Sequence, residues 1–206
     1  VTFGPLDTPG IDLICADPDY LIGEQIDAIF LTHAHEDHIG AVGLLYPRLQ
    51  TKAPIYATPF TTELVRSKML ERGVDPRWLK PVALGGTVVA GPFSVTYVTL
   101  THSIPEPNAL AIETPAGMIL HTGDWKIDPD PQIGGPTDIK GLTALGDRGV
   151  LAMVCDSTNV FEEGESGSEE TVKQGLIELI AEQKQAVAVT TFASNVARVK
   201  SIIEAA

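Results

Sequence analysis

Three of the chain's five histidines fall within six positions, in the run THAHEDHIG at residues 32–40. His33, His35, Asp37 and His38 form the pattern HxHxDH. Side chains two apart in an extended segment project to one side, so His33 and His35 can grip one ion. Where the chain turns into a helix, Asp37 and His38 face a second. Scattered structural histidines do not crowd in this way. The motif therefore demands a fold that delivers a strand end straight into a helix start at His33.

The flanking pattern supplies such a fold. Residues Ile26 to Thr32 read IDAIFLT, an apolar strand, and Ile39, Val42 and Tyr46 then recur at helical spacing beside the small residues Gly40 and Gly43. Ala53 to Ala57 predicts a short strand. Thr58 and Pro59 supply an N-cap and first-turn proline for a helix running to Gly73. Phe93 to Thr101 alternates as a half-buried strand, and Ala109 to Glu113 pairs with Met118 to Thr122 across a TPAG turn. Gly149 to Cys155 is a further apolar run. A helix is expected from Ser168 with Val172, Leu176 and Ile180 inward, then a strand at Ala186 to Thr191 and a helix capped by Ser194. Alternating strands and helices make the class α/β.

Composition narrows the partners. At 206 residues and 44% hydrophobic content the chain can build a substantial core, and no apolar run approaches the roughly 18 residues of a membrane span. Cys15 and Cys155 are isolated, and residues 1 to 10 carry no secretory pattern, so a cytoplasmic location is expected. A formal net charge of -13 argues against nucleic-acid binding through a broad basic surface. Bound divalent cations could still reverse the sign locally. The acidic, glycine-interrupted stretch from Glu162 to Gly167 reads as a solvated loop and a plausible boundary.

His102 and Asp124 join the first motif by position. Each stands at the carboxyl end of a strand, as His33 does, and a sheet that gathers those ends would bring all three to one edge. His121, in the same HTGD segment as Asp124, is expected on the hairpin strand with a hydrogen-bonded ring rather than as a ligand.

HxHxDH followed by THS at His102 and HTGD at Asp124 resembles the ordered ligand series of the metallo-β-lactamase superfamily, whose fold is an αββα sandwich. The resemblance implies a first zinc ion on His33, His35 and His102, a second on Asp37 and His38, and Asp124 bridging them. Longer segments, LTHAHEDHIGAV, THSIPEPNA, LHTGDWKID, CDSTNV and TTFASNVARV, resemble the ribonuclease J family in the same order. Asp156 in CDSTN matches the acidic residue that opens the β-CASP insertion of nucleic-acid-processing members. On that likeness residues 1–165 are a metallo-β-lactamase domain whose N-terminal strands are missing, and residues 166–206 begin a β-CASP α/β domain. No histidine follows His121, so the family's late HxSGH-like motif is lacking, and the second metal site is expected to be short of one ligand. Poor solubility of this piece alone is expected as well, because missing edge strands expose backbone.

By resemblance the activity is zinc-dependent hydrolysis of RNA phosphodiester bonds, as an endonuclease and a 5′ to 3′ exonuclease. Asp37 and Asp124 are the catalytic carboxylates, and a homodimer or homotetramer is the expected assembly of the full-length protein. Ser194 and Asn195 stand at a helix start, where backbone N–H groups suit phosphate; RNA contact and simple N-capping both account for them. Two other readings use the same cluster: a small-molecule metallohydrolase of the glyoxalase II or lactonase type, and a catalytically inert metal-binding module.

Overall fold

The computed structural model describes residues 2–3, 10–11 and 13–206. Strands β1 (Thr2–Phe3) and β2 (Leu13–Ile14) form a small antiparallel pair. The chain then runs through β3 (Ile29–Phe30), α1 (Glu36–Ile39), α2 (Val42–Arg48), β4 (Ile55–Ala57), α3 (Pro59–Glu71) and β5 (Leu79–Pro81). The three strands of this unit pair in parallel in the order β3-β4-β5. A meander follows: β6 (Thr87–Ala90), β7 (Phe93–Thr99), β8 (Asn108–Thr114) and β9 (Gly117–His121). After α4 (Ile139–Arg148), β10 (Ala152–Val154) adds in parallel to β9, giving a five-stranded sheet ordered β10-β9-β8-β7-β6. Helices α5 (Glu169–Ala181) and α6 (Val196–Ala205) close the chain.

Alternation along the strands sorts the core into three layers. On one face of the three-stranded sheet Ile55 and Ala57 pack with Leu31, Ile39, Val65 and Met69, so α1 to α3 cover that side. The opposite face presents Phe30 and Tyr56 to Val95, Tyr97 and Leu110 of the larger sheet. The alternate residues Val98, Ala109 and Ala111 turn outward onto Leu142 and Leu145 of α4. Helices, sheet, sheet, helix is the αββα sandwich expected from the sequence. Burying large side chains such as Tyr97, Ile55 and Met69 completely stabilises each by about 1.5–3 kcal/mol relative to exposure.

The two sheets are also stitched by hydrogen bonds. Tyr97 donates its hydroxyl to the Tyr56 backbone carbonyl at 2.8 Å, and Asn108 N donates to Thr32 O at 3.1 Å. The second bond joins the end of the β3 segment to the start of β8, just where His33 leaves the sheet.

Several expectations need correction. The strand expected over residues 26–32 is only Ile29–Phe30, and Ala186 to Thr191 has no ladder partner among the described residues, so that stretch is irregular. Asn195, not Ser194, caps α6: its side-chain oxygen accepts from Arg198 N at 2.9 Å. Helix α4 and strands β5 and β6 form where no element was foreseen. Among the described residues, no helix is long and apolar enough to cross a membrane. Cys15 and Cys155 are exposed free thiols.

Candidate metal centre

The predicted ligands sit on segments that leave the carboxyl ends of β3, β7 and β9. The chain passes from β3 through the buried Leu31 and Thr32 to His33, which is fully enclosed, and His35 is the N-cap of α1. Asp37 and His38 lie within that single helical turn. His102 follows β7, and Asp124 follows β9 after Gly123, whose φ of +58 permits the sharp turn. A Cβ at residue 123 would sit 3.0 Å from Asn108 O and Thr32 Cβ, so glycine also allows the backbones to approach.

These six residues converge. His35 Nδ1 lies 3.1 Å from His33 Nε2 and 3.0 Å from His102 Nε2. Asp124 Oδ2 is 3.7 Å from both His33 Nε2 and His102 Nε2, whereas Asp124 Oδ1 is 3.2 Å from His38 Nε2. Asp37 Oδ2 stands 3.4 Å from His38 Nε2. The atoms fall into two groups, His33–His35–His102–Asp124 and Asp37–His38–Asp124, each with all its members within 4.8 Å of one another. Asp124 belongs to both, one oxygen to each.

The electrostatics suit cations. Burial, followed by the neighbouring rings of His38, His102 and His35, pushes the His33 pKa down to about 2. Burial and the nearby His35 push His102 down to about 4, and burial lowers His35. Three imidazoles therefore present lone pairs rather than charges at neutral pH. His38 behaves differently: burial opposes its protonation, but the hydrogen bond and the fields of Asp124 and Asp37 outweigh that and raise its pKa. The same hydrogen bond is the main cause holding the Asp124 carboxyl down at about 2.

Donor separations test the fit to a metal. A tetrahedral ion with bonds near 2.0–2.1 Å sets its ligand atoms about 3.3 Å apart. The separations of 3.0, 3.1 and 3.7 Å in the first group bracket that value. Three neutral nitrogens and an ionised carboxylate are donors of the right kind as well as spacing, so the residues present fit the group.

A profile of the β-lactamase superfamily domain matches residues 13–154. The chain belongs to the β-lactamase superfamily. Within it, the chain is 44% identical to ribonuclease J of Sinorhizobium meliloti over 209 residues, covering all of this chain and 37% of that protein. It is 42% identical to ribonuclease J of Corynebacterium glutamicum, covering 29% of it, and 40% identical to that of Helicobacter pylori strain J99 over 95% of this chain and 28% of the relative. The chain thus spans about a third of the length of these curated relatives. A crystal structure of a protein of unknown function from Enterococcus faecalis V583 superposes with a TM-score of 0.61 at 23% identity, over 86% of this chain and 44% of that one, which shows the shared fold.

Two hydroxyl side chains support the histidine and aspartate cluster from outside. Thr32 Oγ1 lies 3.0 Å from His33 Nδ1, and Ser103 Oγ lies 3.3 Å from His35 Nε2. With Nε2 of His33 and Nδ1 of His35 turned inward, the opposite nitrogen of each ring is the one that faces these hydroxyls. His121 is half-buried and accepts from Gly123 N through Nδ1 at 3.0 Å, as a structural residue. Ser194 is exposed, and its backbone favours protonation of His35, which counters part of the lowering by burial. A cleft of about 320 Å³ opens beside His102 and Asp124, lined further by Trp125, Lys126, Asp156 and Asn159. Asp156 uses its carboxylate to hold Thr158, accepting from the backbone N at 2.9 Å and the hydroxyl at 2.6 Å.

Proposed function

We propose that this chain forms the catalytic core of a zinc-dependent ribonuclease that hydrolyses RNA phosphodiester bonds, both within the strand and from the 5′ end. The observation that carries the reading is the division of Asp124 between two donor groups, the arrangement required of a carboxylate shared by two ions. The ribonuclease J relatives support RNA as the substrate class. Residues 1–165 are assigned to the metal-binding domain and residues 166–206 to the beginning of a β-CASP domain.

His33, His35 and His102 would hold the first zinc ion, Asp37 and His38 the second, with Asp124 between them. When bound, zinc supplies a Lewis acid for phosphoryl oxygens and lowers the pKa of water from about 15.7 towards 7. The chain's own residues do the rest. Asp37, at the exposed mouth of the centre, accepts a hydrogen bond from the attacking water and orients it. Asp124 fixes the spacing of the two donor groups. Thr32 and Ser103 hold the rings of His33 and His35 in the tautomers that leave their inward nitrogens free. Ser194 and Asn195 precede Ala197, which lines the cleft, and would meet the RNA backbone.

The net charge of -13 favours a second reading, a small-molecule hydrolase with the same centre, because the cleft carries Asp128, Asp156 and Glu169 against a single cation, Lys126, among the described residues. Cleavage of a 5′-monophosphorylated, end-labelled RNA decides between them. A protein carrying this chain should release labelled product, and its Asp124→Ala variant should not. Hydrolysis of lactone or thioester substrates without RNA cleavage would establish the second reading instead.

A further inference from the structure

Ser103 makes two contacts that point in opposite directions. Its hydroxyl sits 3.3 Å from His35 Nε2, the ring nitrogen turned away from the centre. Its backbone carbonyl accepts from Ala197 N at 3.1 Å, in the first turn of α6. One residue therefore touches a ligand ring on one side and the chain's last helix on the other.

Helix α6 is not loosely placed. Ala197 and Ser201 are buried, and Val196 packs against the core that includes Leu31, Ile39 and Ile104. Arg198 grips Glu169 at the start of α5 through two 3.1 Å bonds, and Asn195 caps the helix. The ten residues of α6 thus dock as a unit on the His102–Ser103 segment. The His35 ring sits between Ser103 of that segment and the imidazoles of His33 and His102.

We propose that Ser103 is a positioning residue that couples docking of α6 to metal binding: it orients His35 for the ion through its hydroxyl and anchors α6 through its carbonyl. The inference rests on the reading that the centre binds metal. Because coupling between two binding equilibria is reciprocal, an ion that fixes His35 tightens the seat of α6, and a seated α6 raises affinity for the ion. Partners behind a ligand histidine contribute 10–100-fold to metal affinity, so the effect is large enough to measure. Residues 194–197 would then act on the centre whether or not they also touch substrate.

The test uses zinc alone, titrated into metal-stripped protein against a chromophoric chelator. Ser103→Ala is expected to weaken zinc binding at the tighter site by about 10–100-fold, with circular dichroism unchanged, and Ser103→Thr, which restores the hydroxyl, to recover most of the loss. In the wild-type protein, zinc should slow hydrogen exchange at the Ala197 and Val199 amides, and chelation should speed it. Zinc binding that is tight in the wild type but unchanged in Ser103→Ala, or α6 amides indifferent to zinc, would overturn the coupling. No zinc binding to the wild type at all would instead overturn the reading of the centre beneath it.

Discussion

Ser168 Oγ donates a 2.6 Å hydrogen bond to Asp128 Oδ1, tying the loop after Asp124 to the start of α5. The other Asp128 oxygen accepts from Glu169 N at 2.9 Å. A single buried carboxylate thus satisfies the start of a helix whose N-cap lies forty residues later.

Asp128 should impose an acid limit on stability. Burial alone would raise its pKa, but the hydrogen bonds from Ser168, Glu169 and Asp130, with Lys126 nearby, outweigh it and lower the value. A carboxyl depressed in the folded state stabilises fully above its unfolded pKa of about 3.9 and loses that contribution as pH falls through the lower folded value. Asp128→Ala should cost about 1–3 kcal/mol at pH 7 by leaving the donors of α5 unpaired. Urea unfolding at pH 7 and pH 3 checks this, with the difference between wild type and variant shrinking at the lower pH.

Asp124→Ala should disable both donor groups at once. Zinc content after dialysis should fall towards zero for the shared pair, a larger loss than either His38→Ala or His102→Ala produces. Retention of two ions by the alanine variant would show that Asp124 does not link the groups.

Gly123→Ala should damage the centre through the backbone. The residue sits at positive φ with Asn108 and Thr32 at 3.0 Å from an added Cβ. Destabilisation of about 1–3 kcal/mol is expected from the strain. Zinc affinity should drop as well, because the turn aims Asp124; thermal melts with and without zinc separate the two effects.

Tyr97→Phe should cost about 1 kcal/mol. Its hydroxyl donates to Tyr56 O, which Leu31 N also bonds at 2.9 Å, so the carbonyl keeps one partner. Melting of the variant with zinc bound and after chelation should show the larger loss in the stripped form.

The convergence of the six histidine and aspartate side chains was legible because the pattern is written in short local motifs, and the sheets bring strand ends together without further instruction. Helix α3 announces itself through Thr58-Pro59, and the β8–β9 hairpin through its turn. The Ala186 to Thr191 stretch misled because β propensity is local whereas a strand needs an open edge beside it. Helix α4 was missed although Leu142 and Leu145 stand at helical spacing in a glycine-containing run. Ser103, Thr32 and Asp128 left no sequence signal at all, since their roles arise from neighbours that only the folded chain supplies.

His33 leaves the three-stranded sheet, while His102 and Asp124 leave the five-stranded one. An ion seated among them would be a rivet through both layers of the sandwich, and part of its binding energy would be folding energy. Slippage of one layer against the other, caused by a substitution far inside the sandwich, would therefore register first as a change in metal affinity.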